Sequence, residues 1–318
     1  MSGLSGDKIL VTGALGQIGT ELVEALRKKH GASSVIASDL RPVDQVDGSG
    51  GPYIQLDVLD TDLIVKVCKE EGIGTVYHLA ALLSATGEKN PALCRKVNVG
   101  GTISVFEAAR QCSMRVFTPS SIAVFGPDAP KHAPQLTDLN PTTVYGETKV
   151  EGEQLAKEYE EKYGLDIRGI RYPGLISYKA PAGGGTTDYA VEIFEAALND
   201  GYYDCFVRPD TRLPMLYMDD AIRATLMLMD EPSENLGSSK AGYNIDCFSF
   251  TAEELANAIA REVDGFKCDF TPDVRQNYAD SWPDSMDGSV AKEEWNWSPE
   301  FDLDAMVKAM LDGMSKKQ

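Results

Sequence analysis

Residues 8–19 read KILVTGALGQIG, an apolar run followed by closely spaced glycines. The run at 8–12 predicts a buried strand, and apolar side chains then recur at helical spacing from Ile18 to Leu26. The glycines between the two elements are Gly13, Gly16 and Gly19. Glycines allow a tight turn, and the N–H groups at the start of a helix bind phosphate. We therefore expect phosphates to contact these glycines and the first helical residues, Gln17 and Ile18.

The second predicted strand, 35–38, ends at Asp39, twenty residues after the last of these glycines. A carboxylate at this point accepts hydrogen bonds from an adenosine ribose and repels a 2′-phosphate. The pattern therefore favours NAD over NADP. Arg41 is able to pair with a 2′-phosphate, which keeps NADP as the minor alternative. A solvated carboxylate at a strand end is the structural alternative for Asp39.

Short apolar runs alternate with helical patterns through the first half of the chain. Further strands are predicted at 53–56, 75–79, 115–118 and 167–171, and helices at 63–67, 101–112 and 145–163. This alternation predicts a doubly wound parallel Rossmann sheet of the α/β class. After residue 175 the elements become shorter, with helices at 189–199, 251–263 and 303–314. We expect an NAD-binding Rossmann domain over 1–175 and a smaller C-terminal α/β substrate-binding domain over 176–318, with some later segments returning to the first.

Composition excludes several classes of partner. The chain has 318 residues, 49 acidic against 30 basic ones, and a formal net charge of −19, so nucleic acid and anionic membranes are poor partners. Three histidines and six scattered cysteines without a C-x-x-C pair argue against a metal site. No apolar run approaches the roughly 18 residues of a membrane span. The N-terminus resembles no targeting segment, so we expect a cytoplasmic protein, or a mitochondrial matrix protein if a presequence was removed.

Tyr145 and Lys149 stand four residues apart at the start of a predicted helix, so both project from one face. An ammonium beside a phenol stabilises the phenolate and lowers a pKa that is about 10 in isolation. Such a tyrosine serves as general base toward an alcohol. Ser121 follows the fifth strand, at the rim where ligands bind, and is placed to hold the substrate hydroxyl. A chance Tyr/Lys spacing and an exposed Ser-Ser loop are the alternatives.

These features together resemble the extended short-chain dehydrogenases/reductases, the superfamily of the nucleotide-sugar epimerases and dehydratases. The resemblance covers about residues 8–175 through Gly13 to Gly19, Asp39, Asp57-Val58, His78-Leu79-Ala80-Ala81, Asn98-Val99-Gly100-Gly101-Thr102, Ser121, Tyr145 with Lys149, and Arg171-Tyr172-Pro173-Gly174. It implies NAD as the cofactor, with Asp57 and Val58 beside the adenine and Lys149 on the nicotinamide ribose. The implied set also contains Leu79, Ala80, Ala81, Asn98, Tyr145 and Tyr172. No histidine is needed for this chemistry.

Four further segments resemble the short-chain-type L-threonine 3-dehydrogenases: 82–85, 181–192, 214–218 and 281–285. This resemblance implies oxidation of L-threonine to 2-amino-3-oxobutyrate by NAD, with Tyr145 as base, Ser121 orienting the hydroxyl and Lys149 lowering the tyrosine pKa. The implied substrate-binding residues are Ser84, Ser121, Tyr145, Gly184, Thr186, Thr187 and Trp282. It also implies a homodimer.

Several alternatives stay open at this point. A nucleotide-sugar epimerase or dehydratase of the same superfamily is the main one, and a non-catalytic NAD sensor on the same fold is another. The glycine-rich run at 182–185 is also compatible with a flexible linker, and Trp282 with a core aromatic.

Overall fold

The computed structural model describes residues 7–47, 50–179 and 183–316. Pro181 and Ala182, which belong to the glycine-rich motif, and the N-terminal residues 1–6 lie outside the described residues. The strands are β1 (Lys8–Thr12), β2 (Val35–Asp39), β3 (Tyr53–Gln55), β4 (Ile73–His78), β5 (Arg115–Phe117), β6 (Ser120–Ser121), β7 (His132–Ala133), β8 (Ile167–Arg168), β9 (Arg171–Tyr172), β10 (Gly174–Ile176), β11 (Tyr202–Cys205), β12 (Arg212–Tyr217), β13 (Phe248–Thr251), β14 (Lys267–Phe270) and β15 (Ser285–Met286).

The helices alternate with these strands through the first half, as the sequence predicts. They are α1 (Gln17–His30), α2 (Thr61–Glu71), α3 (Ser84–Lys89), α4 (Pro91–Arg95), α5 (Gly101–Cys112), α6 (Val144–Tyr163), α7 (Tyr189–Asn199), α8 (Met218–Asp230), α9 (Ala252–Glu262), α10 (Arg275–Ala279), α11 (Ser289–Trp295) and α12 (Leu303–Ser315). A π-helical turn, Lys96–Gly100, joins α4 to α5. Within the described ranges, no helix has the length and apolar character to span a membrane.

The central sheet has six strands in the order β3-β2-β1-β4-β5-β8, all parallel. The strand order therefore reverses between β1 and β4, and a ligand binds beyond the carboxyl ends of the strands at such a point. The predicted doubly wound Rossmann sheet is confirmed.

Alternating side chains of β1 enter two cores, one on each face of the sheet. Leu10 packs among buried residues of α2 and α5, including Phe106. Ile9 and Val11 face the other way, into a core that holds α1 and Trp297. Since successive side chains of a strand point to opposite faces, one continuous apolar run supports both layers.

A second group of elements follows the Rossmann strands. A three-stranded sheet, β10-β12-β13, and a two-stranded one, β11-β14, pack with α7, α9 and α12 around a third core. Helix α8 instead packs against α1. Later segments thus return to the first sheet, while the division at residue 175 stays a prediction.

The predicted sixth strand, 167–171, is broken in two. Ile167–Arg168 pairs with β5, whereas Arg171–Tyr172 pairs with β6. The break falls at Gly169, where an added Cβ would lie 2.5 Å from the Ala241 carbonyl oxygen, because the chain passes between two neighbouring backbones. The bend brings β9 alongside β6 and sets Tyr172 opposite Ser121.

Candidate active site

The glycine turn after β1 leaves no space for side chains. Gly13 has φ +66°, and a Cβ there would lie 2.7 Å from the backbone nitrogen of Ala80. A Cβ on Gly19 would lie 2.4 Å from the Gly13 carbonyl oxygen. These contacts show why the fold requires glycine at both positions, and they bring the segment after β4 against the turn.

Helix α1 begins directly after this turn, with Gly16 at its N-cap and no side chain of the described residues bonded to its first N–H groups. Those groups and the positive end of the helix dipole are available to a diphosphate. Gln17 and Ile18 line the same cleft as Tyr145 and Ser121. The backbone cradle fits a dinucleotide whose far end reaches the catalytic residues.

Asp39 lies at the end of β2, on the side of the turn where an adenosine ribose is expected. Its Oδ2 accepts a 3.3 Å hydrogen bond from the backbone N–H of Leu15. Arg41 approaches the same carboxylate at 3.9 Å and donates to the carbonyl of Leu15. Asp39 is therefore attached to the phosphate turn, and Arg41 remains mostly exposed beside it.

The other implied cofactor residues occupy different environments. Asp57 is exposed and its Oδ1 accepts from Leu59 N–H, while the Val58 side chain is buried in the core with α2 and α5. Leu79 and Ala81 line the cleft.

Asn98 stands on the π-helical turn, and its side chain holds a neighbouring loop. It accepts from Leu82 N–H at 2.8 Å and donates to the Leu82 carbonyl at 3.0 Å and to the Thr148 hydroxyl at 3.1 Å. These bonds connect the chain after β4 to the helix that carries Tyr145. In this structure Asn98 therefore positions the loop through backbone contacts.

Tyr145, Lys149 and Ser121 meet at the carboxyl end of the sheet. Tyr145 is 9 % exposed in the first turn of α6, and its hydroxyl is hydrogen-bonded to Ser121. The Nζ of Lys149 lies 5.6 Å from the Tyr145 ring centre and donates to the Pro119 carbonyl at 2.7 Å. The structure thus brings together all three predicted catalytic residues, 28 positions apart at the extremes.

Burial has the largest effect on the pKa values of Tyr145 and Lys149 in this structure. Burial raises the pKa of Tyr145 to about 12, and the hydrogen bond from Ser121 opposes this only in part. Burial also lowers the pKa of Lys149 to about 8. Lys149 is not among the groups that shift the Tyr145 pKa in this structure, and its lowering of that pKa stays a prediction.

The predicted substrate residues gather at the far side of the same cleft. Ser84 and Thr186 are both buried, and their hydroxyls are 3.4 Å apart. Thr187 and Trp282 also line the cleft. Gly184 has φ +87°, and its carbonyl accepts from Ala85 N–H at 3.2 Å. The glycine-rich run is thereby tied to the segment that carries Ser84.

Asp188 also faces this cleft and was missed by the sequence analysis. Its Oδ2 accepts from Gly184 N–H at 2.8 Å and Gly185 N–H at 2.7 Å. Burial raises its pKa, and the two glycine N–H groups oppose that shift. In the sequence, Asp188 stands three residues after Gly185 and two residues after Thr186. An aspartate so close to a glycine pair is typical of a closed loop, and this spacing was the signal that could have identified it.

Comparison with known proteins agrees with this geometry. The sequence model of the NAD dependent epimerase/dehydratase family matches residues 9–245. An uncharacterized epimerase/dehydratase of Staphylococcus aureus strain USA300 is 44% identical over 313 residues, 98% of this chain and 97% of that protein.

Two solved structures are similar over nearly the whole length. A monomeric L-threonine 3-dehydrogenase from a metagenome, in its apo form, is 50% identical with TM-score 0.93, covering 97% of this chain and 99% of that one. A GalE-like L-threonine dehydrogenase from Cupriavidus necator, in its holo form, is 47% identical with TM-score 0.94, covering 96% and 99%. The resemblance inferred from the sequence is confirmed.

The chain belongs to the NAD-dependent epimerase/dehydratase family of extended short-chain dehydrogenases/reductases. It is an enzyme, and NAD is its cofactor.

Proposed function

We propose that this enzyme oxidises the side-chain hydroxyl of L-threonine with NAD⁺ and yields 2-amino-3-oxobutyrate, NADH and a proton. The observation that carries the proposal is the composition of the cleft beside Tyr145. Lys149 is the only cationic side chain among its described lining residues, and Asp188 supplies a carboxylate. A sugar nucleotide needs cations for its diphosphate, whereas a small zwitterion needs one carboxylate and a few hydroxyls.

In the proposed reaction, the threonine hydroxyl donates a hydrogen bond to Tyr145 Oη and accepts one from Ser121 Oγ. Bound NAD⁺ supplies the acceptor for the hydride that leaves Cβ. Tyr145 acts as the phenolate, having released its own proton beforehand. As the C–H bond breaks, the phenolate takes the hydroxyl proton and the C=O bond forms, so charge and electrons balance. Lys149 carries its charge below about pH 8 and lies beside the ring that receives the proton. A phenolate is costly in a buried site, and the positive charge of Lys149 and the hydrogen bonds to Tyr145 Oη offset that cost.

The recognition of the amino acid is assigned by charge. Asp188 faces the substrate ammonium, while the paired hydroxyls of Ser84 and Thr186 donate to the substrate carboxylate. Thr187 and Trp282 line the cleft, with Trp282 as an apolar wall. Gly184 holds the loop beside it through its bonds to Ala85 and Asp188. This assignment separates the two ends of threonine across the cleft, with its hydroxyl toward Tyr145.

Binding of the cofactor is assigned to the glycine turn, Gln17, Ile18 and Asp39 at the adenosine end. Leu79 and Ala81 contact its middle, and Lys149 and Tyr172 its nicotinamide end. The roles of Asp57, Val58, Ala80 and Asn98 in this binding are part of the same proposal. A homodimer and a cytoplasmic location also stay predictions; the metagenomic relative is described as monomeric.

A single substrate panel tests the proposal. Purified enzyme with NAD⁺ is given L-threonine, L-allo-threonine, L-serine or UDP-glucose, and reduced nicotinamide is followed by absorbance. We expect NADH to accumulate with L-threonine in proportion to the product formed. A nucleotide-sugar epimerase keeps its cofactor through the cycle and releases no net NADH. Conversion of UDP-glucose without NADH release, together with no reaction of L-threonine, would reject the proposal in favour of that alternative.

A further inference from the structure

His78, the last residue of β4, has a buried ring nitrogen to which no described residue is hydrogen-bonded. The side chain is 3 % exposed, and its Nδ1 lies 2.9 Å from the Thr12 hydroxyl oxygen. Its Nε2 is buried and has no hydrogen-bond partner among the described residues. Burial lowers the pKa of His78 to about 3, so the ring is neutral. Buried polar atoms in folded proteins are nearly always bonded to protein or to ordered water.

A small cavity lies beside this ring. Its lining includes His78, Ser120, Thr148, Lys149 and Glu153. The volume is about 20 Å³, and a single water needs about 10–15 Å³. The walls are polar, which is the second condition for a buried water. The cavity shares Lys149 and three other lining residues with the substrate cleft, whereas His78, Thr102 of α5 and Ala241 line the cavity alone.

Lys149 also lines this cavity, and the described contacts use only some of its N–H donors. An ammonium carries three N–H donors. Among the described contacts, Nζ donates one hydrogen bond, to the Pro119 carbonyl at 2.7 Å. The lysine lies between the substrate cleft and the cavity, because it lines both. Two donors are thus left for partners other than the Pro119 carbonyl.

We propose that one water molecule occupies this cavity and joins Nζ of Lys149 to Nε2 of His78, so that His78 is a positioning residue for the catalytic lysine. The water oxygen accepts a hydrogen from Lys149, and the water donates a hydrogen to Nε2. Nε2 must then carry a lone pair, and the ring proton sits on Nδ1 and is donated to Thr12 Oγ1. The water satisfies the unpartnered nitrogen of His78 and holds the ammonium from the side of the cavity.

The catalytic consequence rests on the proposed role of Lys149, but the water itself is tested without turnover. A crystal structure of the unmodified enzyme at a resolution that shows ordered water, and ¹⁵N NMR of its histidines, provide two direct measurements. We expect one ordered water within hydrogen-bond distance of both His78 Nε2 and Lys149 Nζ, and a neutral His78 protonated on Nδ1. An empty cavity, a water that touches neither atom, or a proton on Nε2 overturns the proposal.

Two variants separate positioning from packing. His78→Asn places a polar group near the former Nδ1 and keeps the Thr12 contact, while His78→Gln places one near the former Nε2 and keeps the water. The titration of Lys149 is followed by ¹³C NMR, with the signal assigned by its loss in Lys149→Arg. The other titratable groups that face this lysine are Tyr145, Cys94 and Glu153. We expect the Lys149 pKa to fall in His78→Asn and to stay near the wild-type value in His78→Gln.

Equal lysine titration in both variants and the wild type overturns the positioning role. If L-threonine is the substrate, turnover falls by roughly tenfold in His78→Asn and recovers in His78→Gln, since a hydrogen bond to a charged group is lost and then restored. If L-threonine is not the substrate, the water, the tautomer and the lysine titration still decide this proposal. If a variant fails to fold, the two measurements on the unmodified enzyme decide it.

Discussion

Lys149 lies one helical turn after Tyr145, with its Nζ 5.6 Å from the centre of the tyrosine ring. Tyr145 is buried and Lys149 is partly exposed, and desolvation shifts their pKa values in opposite directions, to about 12 for the phenol and about 8 for the ammonium. Each group is therefore held toward its neutral form. Proton transfer from a substrate hydroxyl to Tyr145 depends on how far neighbouring groups offset this effect of burial.

Replacing Tyr145 by Phe removes the proposed proton acceptor and keeps the buried ring. We expect turnover of L-threonine to fall by about 10²–10⁴-fold, the usual contribution of a general base. NAD⁺ affinity, measured by calorimetry, should change little because the ring still fills its place. Tyr189→Phe is the matched control, since the Tyr189 hydroxyl is also buried but has no partner among the described residues. Substantial turnover in Tyr145→Phe would remove the tyrosine from its assigned role.

Replacing Ser121 by Ala should move the pH dependence of turnover. The Ser121 hydrogen bond lowers the Tyr145 pKa, so its loss raises that pKa further. Activity that rises as the tyrosine gives up its proton should then rise at higher pH, with a lower rate at neutral pH. The measurement is kcat/KM against pH, which reports the free enzyme, in which Ser121 is bonded to Tyr145. Ser121→Thr keeps a hydroxyl and should restore the wild-type profile, and an unshifted profile in Ser121→Ala would contradict the assignment.

Replacing Asp39 by Asn should weaken the discrimination between NAD and NADP. The neutral amide keeps the shape of the side chain but no longer repels a 2′-phosphate, and Arg41 stands beside it to bind that group. We expect the ratio of kcat/KM for NAD over NADP to fall by about tenfold or more, as for the loss of one charged interaction. Asp44→Asn, in the short helical turn that follows, is the control. A ratio that is equal in both variants would show that Asp39 is only a strand-end carboxylate.

Replacing Asp188 by Asn should weaken threonine binding while the loop keeps its shape. The amide oxygen still accepts from Gly184 and Gly185, but the negative charge facing the ammonium is lost. We expect KM for L-threonine to rise about tenfold, with a much smaller change in KM for NAD⁺. Asp200→Asn, at the other end of α7, removes a charge from an exposed site and should change neither constant. Equal increases in both constants would indicate a structural effect instead.

Replacing Thr251, at the start of α9, should change the stability of the protein without affecting the candidate active site. The Thr251 hydroxyl accepts from Glu254 N–H, and the Glu254 carboxylate accepts from Thr251 N–H, which forms a capping box at the start of α9. Thr251→Ala should lower the free energy of unfolding by about 1 kcal/mol. Denaturant titration measures this, and KM for both substrates should be unchanged. Thr251→Ser keeps the cap and should unfold like the wild type.

The order of elements and the cofactor turn follow from local sequence. The apolar run of β1, the glycines after it and the helical spacing of α1 are written within about twenty residues, and strand–turn–helix units impose the same geometry wherever they occur. The capping box and the Tyr145/Lys149 pair are likewise local, because residues three or four apart on a helix are neighbours. Local patterns also show where Ser121 falls, at the end of its strand.

Other features depend on contacts between distant parts of the chain. Ser84 and Thr186 meet across 102 positions, and the break at Gly169 exists because the backbone of Ala241 passes against it. The shifts of the Tyr145 and Lys149 pKa values have the same origin, since desolvation is set by everything that surrounds a group and not by its neighbour on the helix. The sequence by itself determined which chemical groups this enzyme carries and on which elements. Only the tertiary structure decided how far these groups are removed from water. Because desolvation shifts their pKa values, it also decided the protonation state from which each one acts.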